Sequence, residues 1–455
     1  MLNKTLFFLV TLIAPVFFTG CGQFTSSHDS TFIPMTEKQV TRSEKNHALD
    51  NNDNFSPDDK FLCYDTRGTV FNEDIGNCQS IEKVEIATGE ETVLYKPEKI
   101  ITGEKAAPGV GAVSYHPIED KVIFIHGPWV DQVKERGYYG KPNRTGVTAK
   151  GDGSGEWHMV EMRDIATDRP TTPGAHRGGT HRHEYSRNGI RVGFTYDDFL
   201  NTDYDRTIGY MEPNAKVPEG YTHYFALLVK PAKKGESKPG EIEKAHGDAW
   251  VDYEGTKRAF IGKVRAENGV DYENDLFVAG IPDDVDITTA FSGNNKEYPV
   301  PPKGIKIHRL THNMEADGIV RGSFNGKNIA FYAPDKNGIK QVFIIPADGN
   351  DKDSDVKKHP RQVTNFKSNA SYLRWHPSDK WIFSVSEGNI AVSYVGDDND
   401  FGKTYFLTND SLDRDQIVVS HSGDVVAYGI KMPSKDGKRK FKQLFTLSID
   451  WSKIK

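Results

Sequence analysis

The sequence predicts an all-β fold, a seven-bladed β-propeller with four-stranded antiparallel blades. Three observations predict it: one turn pattern recurs seven times, short strand-like runs fill the gaps between its copies, and no long helical periodicity intrudes. Each copy is an apolar residue, a polar turn containing Pro, Asp or Gly, and an alternating β-rich run. The copies are NFSPDDKFLCYD (54–65), SYHPIEDKVIFIHG (114–127), EYSRNGIRVGFTYD (184–197), WVDYEGTKRAFIG (250–262), RGSFNGKNIAFYA (321–333), RWHPSDKWIFSVS (374–386) and VVSHSGDVVAYGI (418–430). Runs such as IEKVEIATGEETVLY (81–95) and IKQVFIIPADG (339–349) supply further strands, and HRLTH (308–312), RQVTN (361–365) and YFLTN (405–409) close units. Units of ~40–45 residues with four strands each are the signature of propeller blades. Radial closure removes the free sheet edges that an open stack would expose.

These elements assign the propeller to residues 51–455, with a blade-2 insertion near 128–158. Ahead of it, MLNKTLFFLVTLIAPVFFTGCGQ carries Lys4, an apolar run from Leu6 to Phe18, and small residues before Cys21. That is an export signal, too short for a lasting span. FTGC resembles the lipobox of bacterial lipoproteins, with Phe18 an unusual residue at its position. The resemblance implies a signal peptide over 1–20 and lipidation at Cys21. Gly22 in place of an aspartate favours the outer membrane, so the expectation is a lipid-anchored envelope protein on its periplasmic or surface face. Residues 21–50 read as a flexible polar tether.

Charged residues make up 27% and aromatics 11%, with 42 Gly and 23 Pro, which suits a globular β protein. The net charge of −6 gives no basic stripe, which excludes general nucleic-acid binding. The expected state is a monomer that meets the membrane only through its lipid. Cys63 and Cys78 either form a disulfide in an oxidising compartment or are two small core residues.

The turns resemble the (F/W)-S-P-D-G repeats of TolB propellers. SYHPIEDKVIFIHGPW, RGGTHRHEYSRNGIRVGFTY and LRWHPSDKWIF resemble an uncharacterised bacterial family of TolB-like propellers more closely. Both resemblances concern fold and imply no chemistry.

Loops on a rigid scaffold carry most function. We expected residues before the turns and residues after the second strands to share one face. That collects His181, His183 and Glu184 of blade 3, His246, Asp248 and Trp250 of blade 4, and Arg321 of blade 5. It adds Asp65 and Arg67, His126 and Trp129, and Tyr196, Asp197 and Asp198. The insertion contributes Arg136, Tyr138, Tyr139, Arg144 and His158.

Three readings of this set stand side by side. In the first, His181 and His183, at i and i+2 on a strand, point the same way. With His126, His223 or His246 they bind one divalent cation, Mn or similar. The cation would assist β-elimination on a uronic-acid oligosaccharide, with His126 or Tyr138 taking the proton and Arg136 or Arg182 holding the carboxylate. IHGPW (125–129) and HRH (181–183) are similar to the H-E-G-P-W and Q-x-x-H-P-H stretches of oligogalacturonate lyases, seven-bladed propellers that use Mn²⁺. The departures are a missing glutamate, Gly178 in the glutamine position, a shorter spacing to the turn and an early blade.

In the second reading the propeller is a non-catalytic module that binds an acidic oligosaccharide or an envelope protein. Tyr138, Tyr139, Trp129 and Trp250 would form the contact surface, and the expected substrate-binding residues are Trp129, Tyr139, Arg144, Glu184, Tyr196, Trp250 and Arg321. In the third, the residues are structural: His116, His376 and His421 belong to turns, Trp129 pins its loop, and Asp197 and Asp198 cap a turn. No G-x-S-x-G elbow or phosphate loop is present, and HEYS is not H-E-x-x-H. DGNDKDSD (348–355) reads as a solvated acidic loop, since it lacks the glutamate and helices of a calcium hand.

Overall fold

Alternating apolar residues on both faces of short strands need a neighbour on each side, and a ring of blades provides it. The computed structural model describes residues 31–49, 53–68 and 75–454. Six blades start from an innermost strand at the axis: Val110–Tyr115, Gly179–Tyr185, Ile242–Trp250, Asp317–Gly322, Ser371–Trp375 and Asp415–Val419. In blade 1 the strands Phe61–Asp65, Ile81–Glu85 and Glu91–Tyr95 form the sheet, and bridges from Ala48 to Asp65 and Phe55 to Leu62 complete it at the axis. All seven turn motifs join an innermost strand to the second strand, as the repeat predicts.

Among the described residues a large apolar cluster fills each of the seven gaps between blades. Cys63, Ile81 and Leu94 pack on Val113, Val122 and Phe124 between blades 1 and 2. Leu62, Tyr64 and Val84 pack on Val418, Ala427 and Leu444, which closes the ring between blades 7 and 1.

The turns interlock along the lower face. His116 Nε2 lies 3.1 Å from the Gly189 carbonyl of the next turn, and His421 Nδ1 lies 2.8 Å from Asp59 of blade 1. A Cβ on Gly423 would fall 2.1 Å from Nε2 of His376. These are the partners expected of turn-locking histidines.

Each innermost strand of blades 2–7 breaks its ladder at the same point. The register shifts between Gly111 and Ser114, His181 and Glu184, His246 and Ala249, Asp317 and Arg321, Ser371 and Arg374, and Asp415 and Val418. At each bulge one residue takes positive φ: Ala112, Arg182, Gly247, Gly318, Tyr372 and Gln416, between 51° and 75°.

The structure corrects three expectations and decides between the two readings of the cysteines. The tether is shorter than residues 21–50, because Thr31–Phe32 pairs in parallel with blade 6 and Thr36–Gln39 forms the outer strand of blade 7. The insertion ends before Thr145–Lys150 and Trp157–Met159, which are ordinary strands of blade 2, and His158 stands exposed at its rim. Cys63 and Cys78 are separate buried thiols. Asp65 pairs with Ile81, which puts Cys63 inside the ladder and Cys78 beyond its end. The Cys78 thiol accepts from the Thr66 N–H at 3.3 Å, and the Cys63 thiol lies beside Asn54. Finally, an innermost strand runs toward its turn, so only its start lies level with the end of the second strand. Glu184, Trp250 and Arg321 therefore sit low, near the turns. The expected signal peptide and Cys21 lie outside the described residues. No helix among the described residues is long and apolar enough to cross a membrane.

Candidate functional site at the upper mouth of the channel

The upper face carries the starts of the innermost strands, the ends of the second strands and the long connections of blades 1–3. His181, at the start of its strand, is 1% exposed. It pairs with Thr195 and so shares a face with Asp197. Its Nε2 lies 2.6 Å from Asp197 Oδ2, and the Arg144 guanidinium reaches Nδ1 at 2.8 Å. Since guanidinium only donates, Nδ1 accepts, and the proton sits on Nε2 facing Asp197. Arg206 donates to the same Asp197 oxygen at 2.7 Å. Burial, then Arg144 and Arg206, hold the His181 imidazole well below its ordinary pKa. Burial opposes ionisation of Asp197, yet the bonds from His181 and Arg206 hold it well below the carboxylate range. The arrangement is a neutral histidine between a carboxylate and a guanidinium.

Tyr139 stands over it. The Arg144 guanidinium lies 4.8 Å from the Tyr139 ring centroid, and the Tyr139 hydroxyl is buried without a hydrogen-bond partner among the described residues. Two glycines allow this approach. A Cβ on Gly127 would lie 1.8 Å from the Pro108 carbonyl and 2.7 Å from the Tyr139 ring, and one on Gly179 would lie 2.0 Å from the Lys141 carbonyl. The Gly in IHGPW thus lets Tyr139 and the Pro108 carbonyl close on blade 2, and the second Gly in RGGTHRHE seats the blade-2 loop on blade 3.

The remaining candidates disperse. The bulge at Arg182 turns His183 to the opposite side of the strand, facing blade 2. There its Nε2 lies 3.0 Å from Thr180 Oγ1 and 3.8 Å from the fully buried Glu161. His126 faces blade 1, with Nε2 2.9 Å from the Tyr95 hydroxyl and Nδ1 2.6 Å from the Gly127 carbonyl. Burial pulls it down to about 4. His223 lies on the outer connection of blade 3 against Thr222, and His246 sits on blade 4 facing blade 5. These histidines share no centre. Among the described residues no group of three or more His, Cys, Asp or Glu is arranged to hold a metal ion. The expectation that His181 and His183 point the same way fails because the bulge breaks the period of two. Arg144 also covers the lone pair that His181 would offer a cation.

Trp250 is a buried lock whose Nε1 donates to the Glu184 carbonyl at 3.0 Å, and the Glu184 side chain accepts from Arg258 at 3.0 Å. Tyr196 is core, its hydroxyl donating to Asp198 at 3.0 Å. Asp198 accepts the backbone N–H groups of Leu200 and Asn201, so it caps a turn. Asp248 accepts from Arg258 at 2.6 Å, and Asp65 binds Arg67 at 2.8 Å. Trp129 packs at a tilt between the rings of His126 and Trp157, which pins the loop. Arg136 is half-buried beside a shallow pocket with Asn143 and Arg163, and Tyr138 is exposed.

Sequence reasoning missed Arg206, Arg258, Glu161 and His176. No motif marks them, since each acts through a contact that the turn repeat does not encode.

The family model described as a protein of unknown function (DUF3748) matches residues 109–224, which are blades 2 and 3 and therefore the source of Tyr139, Arg144, His181, Asp197 and Arg206. The uncharacterised protein YidR of Escherichia coli K12 is 31% identical over 424 residues, covering 86% of this chain and 94% of YidR. Among solved structures, the β-propeller domain of the trilobed protease from Pyrococcus furiosus is similar at 9% identity and a TM-score of 0.49, over 90% of this chain and 95% of that one. A candidate TolB from Agrobacterium tumefaciens is similar at 13% identity and a TM-score of 0.37, over 79% and 86%. Likenesses so distant transfer no chemistry. With YidR matched along nearly its whole length, the chain belongs to the DUF3748 family of YidR.

Proposed function

We propose that this protein is a cell-envelope propeller that binds an acidic ligand, a uronate-bearing oligosaccharide, at the upper mouth of its channel. The observation that carries the reading is the Asp197–His181–Arg144 chain beneath Tyr139, ringed by the longest connections of blades 1–3. Arg144 has a buried Nε without a hydrogen-bond partner among the described residues. A guanidinium so placed suits a carboxylate, and Tyr139 offers a ring face and a hydroxyl to a sugar. The export signal and lipobox read from the sequence support an envelope location. The reading needs no metal.

A second reading, β-elimination, is favoured by the unpartnered Tyr139 hydroxyl beside Arg144. Arg144 would neutralise the sugar carboxylate and favour the Tyr139 phenolate, which would take the proton next to that carboxylate and pass it to the leaving sugar oxygen as the C–O bond breaks and the C=C bond forms. The histidines do not supply the metal centre this chemistry was expected to use, so no step passes through one.

Calorimetry with oligogalacturonates and uncharged oligosaccharides, alongside ultraviolet detection of unsaturated products, tests both. Binding of the acidic series alone, lost in R144Q and without product, supports the binding module. Product formation abolished by Y139F supports the lyase. No binding and no product would remove both readings.

A further inference from the structure

Below the mouth, the innermost strands bring a second set of charges to the axis. Glu184, Arg321 and Arg374 occupy one level of the ring, each being the first residue to re-pair after its bulge. Arg182 is itself the bulge residue of blade 3. Arg321 is 7% exposed, and its Nη1 donates only to the carbonyl of its own neighbour Val320, at 3.0 Å. Its Nε and Nη2 are buried without hydrogen-bond partners among the described residues, and so are those of Arg182. The carboxylates of Glu184 and of Asp248, in the bulge of blade 4, already accept from Arg258.

Arg187, on the lower turn of blade 3, passes beneath blade 4 to donate to the carbonyls of Gly322 at 2.9 Å and Ser323 at 2.8 Å on the turn of blade 5.

A buried guanidinium with idle donors is costly unless a partner takes them. Guanidinium presents flat paired N–H groups that match the oxygens of phosphate, sulfate and carboxylate. We infer that the axial channel holds a small oxyanion between Arg182 and Arg321, beneath the upper mouth. In support, burial lowers the Arg321 pKa well below its ordinary value, and the neighbouring charges of Arg374 and Arg182 add to that. The site stands whether or not the mouth takes an oligosaccharide, because neither Arg144 nor Tyr139 contributes to it.

Thermal unfolding of the purified protein tests this at constant ionic strength, with chloride replaced in turn by inorganic phosphate, sulfate or acetate. The expected result is a rise in Tm of about 2 °C or more at roughly 10 mM of the preferred anion, and the arm that responds names its class. Ion chromatography of the denatured protein covers the case of an anion already bound, where near-stoichiometric release also supports the site. R321M should abolish the response and be at least as stable as the parent in chloride, since an uncompensated buried charge has gone. If R321M does not fold, R182Q, at a half-buried position, takes its place. A parent that neither responds to any of the three anions nor releases one overturns the inference. So does a response that survives in the variant.

Discussion

Two kinds of histidine set opposite limits on stability. His176 is fully buried beside Phe225 and Tyr196, and neither ring nitrogen has a hydrogen-bond partner among the described residues. Burial pulls it down to about 3, and the same cause takes His126 to about 4. A depressed histidine stays neutral in the fold while the unfolded chain takes up its proton, so stability falls as pH drops from about 6.5 toward the folded value. H176F should therefore hold Tm at pH 7 and lessen the loss on acidification by roughly 1.4 kcal/mol per pH unit, read from denaturant midpoints at pH 7 and pH 5. His421 behaves in reverse. Burial opposes its charge, but Asp53 and Asp59 raise it to about 10. Its contribution is complete below about 6.5 and fades as pH rises through about 10. H421A should lower Tm at pH 7 by about 2–4 °C, with the difference vanishing above pH 10. At this scale the sequence was legible where a residue belongs to the recurring turn, as for His116, His376 and His421. It was silent where no repeat marks the pair, as with Arg144 on His181.

The repeated bulge governs what each innermost strand presents to the axis. Gly247 has φ +65°, and a Cβ there would lie 2.1 Å from the Gly318 carbonyl. G247A should cost roughly 2–3 kcal/mol, since strained backbone and a backbone clash add together. Ala112 holds the same place in blade 2 with φ 54°, so A112G relieves the left-handed penalty and should fall between neutral and about 1 kcal/mol more stable. Urea midpoints of the two variants check this, and equal destabilisation would remove the bulge as the cause. Alternation of apolar residues was enough to find the strands and their turns. It could not reveal the bulges, because Ala112, Arg182, Tyr372 and Gln416 carry none of the glycine signature expected at positive φ. Treating HRH as regular strand put both histidines on one side, and a single left-handed residue undoes that.

At the scale of the molecule, the last gap in the ring is closed by the two ends of the chain. Thr36–Gln39 pairs with Lys440–Ser448 of blade 7, and Glu37 meets the buried guanidinium of Arg414 at 2.7 Å. Seven recurring turns made the ring legible, since each marks one blade. The closing strand was hidden because TEKQ is short, polar and half exposed, as an edge strand facing water should be, and it was placed in the tether for that reason. Its loss should cost more than its four residues suggest. Without it the backbone of Lys440–Ser448 gains a free edge, Arg414 keeps only Asp410 among its carboxylate partners, and of the amino terminus residues 41–49 alone still tie blade 7 to blade 1, through contacts such as His47 Nδ1 with the Lys442 carbonyl at 2.9 Å. Deleting residues through 30 should leave Tm unchanged, whereas deleting through 40 should lower it by about 10 °C or drive association through the exposed edge. Thermal scans with size-exclusion chromatography separate the two constructions. If the longer deletion were as stable and as monodisperse as the shorter, the apolar cluster between blades 7 and 1 would suffice to close the ring, and the amino-terminal strand would be a passenger.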